Sequence, residues 1–170
     1  MQMITIPVQG ITQGIQPIIS YNYGAGNKER VKATMKRMIL VCLTGTLLLA
    51  GVAIFAPQIY TGLFTDNKEL LELTCKVMPV YFLGISIFGI QCACQTSFIS
   101  LGQAKVSLFI ALLRKIILLI PLIFILPHFF DNKVFAVFLA EPVSDTISIT
   151  ASIITFRIVF KKAMQSISKS

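Results

Sequence analysis

Charge is what this chain has least of. Asp, Glu, Lys and Arg together supply 13% of its 170 residues, against roughly 25% in soluble globular domains, so there is too little charge to clothe a water-exposed surface. Acids are the scarcer sign, with 7 Asp and Glu against 15 Lys and Arg. There is one histidine, His128. It follows Pro127 with no nucleophile and base arranged around it, which argues against an enzyme of the Ser/His or Cys/His kind. The four cysteines, Cys42, Cys75, Cys92 and Cys94, lack paired metal-ligand spacing. Cys92 and Cys94 lie roughly 200° apart around a helix and cannot jointly hold one metal, so all four read as small apolar residues. Gly24-Ala25-Gly26 follows a helical stretch rather than a strand and is no dinucleotide-binding turn. No internal repeat is visible, and no cofactor is expected.

What the chain has instead is apolar length. Hydrophobic residues make up 55% of it and its mean hydropathy is +0.82. The uncharged runs 38–65 and 77–104 each exceed the roughly 20 residues that cross a hydrocarbon core of about 30 Å. Two further apolar stretches contain ionisable residues, and the opening stretch is polar but long enough. The expectation is an all-α, polytopic membrane helix bundle with spans at about 1–23, 38–57, 77–101, 106–127 and 134–160. Short connections make each helix antiparallel to its predecessor. Residues 27–37 read as a short amphipathic helix along the membrane surface. KELLELTCK (68–76) reads as a surface helix capped by Asp66 or Asn67. The opening MQMITIPVQG has neither a basic n-region nor a small-residue cleavage site, so it does not read as a signal peptide. Met1 falls inside a helix, and the chain is expected to be a fragment of a longer protein.

The net charge of +8 is sorted by position rather than spread as a nucleic-acid surface would need. Lys28, Arg30, Lys32, Lys36 and Arg37 follow the first span. Lys105 sits between the third and fourth, and Arg157, Lys161, Lys162 and Lys169 close the chain. All fall on one side of the five-span arrangement. The other side mixes Lys68, Lys76 and Lys133 with Asp66, Glu69, Glu72 and Asp131. That bias makes the basic side and the C-terminus cytoplasmic in a plasma membrane, with lipid headgroups as partners and no nucleic acid.

Polar residues inside the spans are the candidates for function, because lipid tails cannot hydrogen-bond them. Glu141 and Asp145 are four apart, one turn on the same helical face, and Arg114 and Lys115 in the preceding span are their natural partners. Arg114 lies nine residues past Lys105, roughly 13 Å, and Asp145 twelve before Arg157, roughly 18 Å, at about 1.5 Å per residue. The depths match within a turn and a tilt. Two readings stay open: a structural ion-pair network, and a proton- or cation-responsive element. Gln13, Gln16, Asn22, Gln91, Gln95 and Thr96 are candidates to line a cavity, with hydrogen bonding between helices as the alternative. Phe82, Phe88 and Phe98 read as packing more than as an aromatic cage. Pro17, Pro79, Pro121 and Pro142 each remove a backbone donor, and Pro142 is also readable as a helix start capped by Glu141.

The stretch QGIQPIISYNYGAGNKERVK (13–32) resembles the multidrug and toxic compound extrusion (MATE) family, in which a span of this composition ends in Tyr-Asn-Tyr-Gly-Ala before a basic loop. FISLGQAK (98–105), ALLRKIILLIPLIFILP (111–127) and LAEPVSDTIS (139–148) resemble later family segments in order. The resemblance implies the last five of twelve helices, part of a C-terminal lobe whose missing partner is the N-terminal lobe. It also implies an antiporter expelling amphipathic, often cationic organic compounds or drugs against entering Na+ or H+, with a lipid-linked oligosaccharide flippase of the same superfamily, or a non-transporting remnant or scaffold, as alternatives. In part of the family the coupling acids of this lobe lie on the seventh and tenth helices. Here the span matching the tenth has none, which leaves Glu141 and Asp145. A chain lacking one lobe is not expected to transport alone.

Overall fold

A computed structural model describes residues 2–58, 68–130 and 133–167, and among them every regular element is helical. In chain order these are α1 (Gln2–Gly24), α2 (Lys28–Phe55), α3 (Lys68–Ile85), α4 (Phe88–Ser100), α5 (Ala104–Leu112) and α7 (Lys133–Ile167). Between α5 and α7 the chain widens into a π-helical segment, Leu113–Leu119, continues as α6 (Ile120–Ile125) and tightens into a 3-10 turn, Leu126–His128. Four stretches are long and apolar enough to cross a membrane: Lys28–Phe55, Tyr81–Ser100, Ala104–His128 and Phe135–Ile167. This is a membrane protein. Helix α1 matches them in length but carries glutamines and two prolines, Pro7 and Pro17.

The turns at one end of the bundle are set by glycine. Gly26 and Gly102 have φ of 74°, a left-handed conformation that costs a residue without Cβ little. Around them Asn27 and Gln103 donate their N–H groups to the carbonyls of Asn22 and Phe98, at 2.9 and 2.8 Å. Gly26 and Gly102 donate to Tyr23 and Ile99. Both helices thus end in the same paired cap, which satisfies carbonyls that lipid could not. Gly24 itself is still helical. At this end Ser20 donates to the Ser100 carbonyl, Tyr23 and Ser166 share a hydrogen bond of 3.2 Å, and Ile167 reaches Gly26. The ends of α1, α4 and α7 therefore meet, as antiparallel succession requires, with Lys28 and Lys105 just past the two caps.

The surface helix expected at 27–37 is instead the first part of α2. Nothing in VKATMKRM breaks a helix, and 28 residues rise about 42 Å at 1.5 Å each, so the basic turns stand beyond the apolar core. KELLELTCK likewise runs straight into the next span as α3; its expected caps, Asp66 and Asn67, lie outside the described residues, as do Asp131 and Lys169. The span expected at 77–101 is two helices, broken at Ser86 and Ile87. Helix α7 passes through Pro142 without starting there.

The break sits where packing is tightest. A Cβ on Gly84 would meet the Pro142 Cα of α7 at 2.7 Å, and one on Gly89 would meet the Cys42 carbonyl oxygen of α2 at 2.3 Å. With no side chain at either position, α3 lies against α7 and α4 against α2, the close approach that small residues allow between membrane helices. Thr46 of α2 donates its hydroxyl to the Ser86 carbonyl at 3.1 Å and to the Cys42 carbonyl at 2.9 Å, supplying a partner at the break. Helix α4 is the hub, in contact with α1, α2, α5 and α7, and two-thirds of the window Tyr81–Ser100 is buried against only 11% for Ala104–His128. Gly89→Ala is therefore expected to destabilise the folded chain by about 1–3 kcal/mol through overpacking against a backbone atom. Gly51→Ala, with nothing within 4 Å, is expected to be neutral or stabilising by about 0.5–1 kcal/mol. Thermal unfolding in detergent, followed by circular dichroism, reads both.

Candidate functional site

Two polar constellations lie within the spans. In the first, Arg114 of the π segment donates Nε to Oδ1 and Nη2 to Oδ2 of Asp145 on α7, the second contact at 3.0 Å. The fork fits the carboxylate edge to edge. Arg114 is 8% exposed and Asp145 1%. Phe88, the first residue of α4, lies under the guanidinium with its ring centre 4.4 Å from Cζ, an added attraction for a cation out of water. Ser144 donates its hydroxyl to the Arg114 carbonyl at 2.8 Å. One turn away, Lys115 reaches Glu141 at 3.3 Å, and this pair is open, with side-chain exposures of 51% and 19%. Tyr81 of α3 lies beside Glu141.

The π segment explains how neighbours 114 and 115 both address α7. Adjacent residues of an α-helix point about 100° apart, and widening the turn brings the two directions closer. Pro121, just beyond, has no N–H to return to the preceding turn, which favours an irregular ladder there.

The second constellation is a cleft of about 220 Å³ between α1, α4 and α5. Helix α1 contributes Gln9, Thr12, Gln13 and Gln16; α4 contributes Cys92, Gln95, Thr96 and Ile99; and α5 contributes Ser107. Thr12 donates to the Gln9 carbonyl at 2.9 Å. The carboxamides of Gln9, Gln13, Gln16 and Gln95 make no hydrogen bond within the described residues. Along α1, Gln16 and Gln9 lie 8 and 15 residues before Gly24, roughly 12 and 22 Å at 1.5 Å per residue, so the cleft is at membrane depth.

Gln91 and Asn22 are elsewhere. Gln91 is 1% exposed, donates Nε2 to Ser148 at 3.3 Å and accepts from Ser152 at 2.7 Å; it joins α4 to α7 and is not among the residues that line the cleft. Asn22 folds back on its own helix, donating Nδ2 to the Ile18 carbonyl at 2.8 Å, with its Oδ1 unpaired. The period does not separate Gln91 from Gln95, which lie one turn apart on one face; Gln91 is taken up by Ser148 and Ser152 of α7. Phe82, Phe88 and Phe98 are all buried, Phe98 edge-on to Phe156. Sequence reasoning missed Gln9, although its spacing of four and seven from Gln13 and Gln16 marks the same face. It also missed Tyr81 and Ser107, for which the sequence carries no signal. Cys42, Cys92 and Cys94 are buried, and none of the four thiols is in a disulfide. No cluster of metal-ligating side chains occurs among the described residues. His128 shares a 2.9 Å hydrogen bond with the Phe124 carbonyl.

The sequence model of the MatE family matches residues 1–125. The fold is similar to that of the MATE multidrug transporter DinF-BH, with a TM-score of 0.83 and 30% identity over 92% of this chain and 35% of that one. It is similar also to the Vibrio cholerae MATE transporter VcmN, with a TM-score of 0.84 and 19% identity over 95% of this chain and 36% of that one. Among curated proteins, a FAD transporter of Shewanella oneidensis is 27% identical over 121 residues, 71% of this chain and 26% of the relative. An uncharacterized protein of Mycoplasma pneumoniae is 25% identical over 118 residues, 68% of this chain and 22% of the relative. The chain thus spans about a quarter of the curated relatives and about a third of the solved transporters. With nearly three-quarters of its length matched by the family model, this chain belongs to the MatE family.

Proposed function

We propose that this chain forms most of one lobe of a secondary active exporter that moves amphipathic organic compounds outward against entering Na+ or H+. The observation that carries this reading is the cleft of unpaired carboxamides at membrane depth. Four such groups facing hydrocarbon would each be left without partners, so they belong to a wet or solute-filled path. The break between α3 and α4 beside a buried ion pair supports it, since interrupted helices recur where transporters handle polar cargo. A partner lobe, against which this one rocks, completes the cavity.

The two ion pairs divide the work. Arg114–Asp145 is a clasp: both groups are buried and both carboxylate oxygens are engaged, so an entering ion would have to break a forked contact. Glu141–Lys115 is the exchangeable pair, open enough for a proton or Na+ to compete with Lys115. Coupling follows from linkage: a carboxylate that takes the ion changes its pull on Lys115 and Tyr81, and so the balance between lobe conformations. Flipping of a lipid-linked pyrophosphate fits less well, because both internal cations are already engaged with carboxylates.

Four outcomes are expected. Asp145→Asn leaves a buried guanidinium unpaired and should cost about 3–5 kcal/mol of stability, read as loss of folded protein, with Arg114→Gln on the same chain restoring much of it. Glu141→Gln should alter stability by about 1 kcal/mol or less, as for other open pairs, yet abolish ion-driven efflux by a longer transporter carrying this chain. Expressed alone in an efflux-deficient host, the chain should lower drug accumulation no more than empty vector, and a C-terminal green fluorescent protein fusion should fluoresce, placing the basic end in the cytoplasm.

A further inference from the structure

Resting on the transport reading above, the geometry points to an uncharged moiety dense in hydrogen-bonding groups, such as an imide, a lactam, a carboxamide or neighbouring hydroxyls, as the occupant of the α1–α4–α5 cleft. Gln13, Gln16 and Gln95 are the residues that read it. The first ground is what the cleft does not contain. None of its lining residues is a carboxylate, an ammonium or a guanidinium. The carboxylates of Asp145 and Glu141 are directed to Arg114 and Lys115 across the π segment. An organic cation entering here would exchange part of its water for a lining that offers no opposite charge.

The second ground is what the cleft offers. Gln9, Gln13 and Gln16 fall at positions i, i+4 and i+7, one face of α1, opposite Gln95 and Thr96 of α4. Each carboxamide brings two N–H donors and one carbonyl acceptor, and those of the four glutamines are unengaged by protein. Imides, lactams and amides present the same alternation of donor and acceptor, so a facing pair of glutamines can meet such a group in two contacts at once. Because these glutamines are exposed or half-exposed, a solute lacking such groups would displace water from them without replacing its hydrogen bonds. Sites built on hydrogen bonding discriminate far more sharply than apolar ones for that reason.

Size is the third ground. A volume of about 220 Å³ falls below the roughly 300–1,000 Å³ of sites that enclose drug-sized molecules. The cleft takes one polar head or edge of a ring system, leaving the apolar remainder of an amphipathic substrate outside. The chain's part in selection is then to read the neutral polar end.

The test uses the full chain in lipid nanodiscs with two probes: riboflavin, a neutral fluorescent solute carrying an imide and hydroxyls, and tetraphenylphosphonium, a lipophilic cation. Riboflavin is expected to bind above empty nanodiscs and to resist displacement by excess tetraphenylphosphonium. Gln13→Leu with Gln95→Leu should weaken it at least about tenfold, the loss of roughly one well-made hydrogen bond, with the thermal unfolding midpoint retained. Gln95→Glu should raise tetraphenylphosphonium binding by about tenfold, because the added carboxylate supplies the missing counter-charge. The inference is overturned if riboflavin fails to bind, if the double variant binds it as tightly, or if the cation displaces it from the unaltered chain. Ion-coupled export of an organic cation by the longer transporter, unchanged in the double variant, would remove this inference while leaving the transport reading standing. Absence of any ion-coupled export by that longer transporter would remove both.

Discussion

Everything in this bundle answers to one constraint: inside a hydrocarbon slab, a polar group finds its partner in the protein or goes without. Thr46 answers for the Ser86 carbonyl where α3 and α4 part. Ser148 and Ser152 close around the Gln91 carboxamide from both sides. Asp145 occupies the fork of Arg114 while Ser144 takes that residue's carbonyl. Most of these partners lie on α7, a helix whose small hydroxyl side chains let it approach α4 and the π segment closely. Polar contacts and close packing are thus the same device.

Against that background the glutamines of the α1–α4–α5 cleft stand out by contrast. The same residue type is used twice in α4, once satisfied and once not, and the two uses are one helical turn apart. Gln91 holds helices together; Gln95 does not. The difference lies in the level along α4, where Ser148 and Ser152 of α7 reach Gln91. The ion pairs show the same separation, with the buried member on the α4 side and the open one beside α3.

The all-helical membrane class and the meeting of Arg114 with Asp145 were legible in the sequence, because apolar length and rise per residue are local properties. What was not legible depends on neighbours. The break at Ser86 looks like continuous helix when read alone, since GISIFG carries no proline. It takes form where Gly84 and Gly89 let two different helices approach from two sides. Pro142 misled in the opposite direction: readable as a helix start, it sits inside α7. Asn22 and Gln91 could not be told from cavity residues without knowing which face of each helix the packing covers.

The wide turn at Leu113–Leu119 has a consequence for register. A helix that swells over one turn holds one residue more than its regular counterpart would over the same rise. Deleting a single residue from this stretch would let an ordinary spiral cover the same rise, so that Ile120 to Phe124 keep their facing while residues 114 and 115 lose the wide turn they share. The extra residue therefore leaves the two ends of the span in register and changes only how Arg114 and Lys115 are presented to α7.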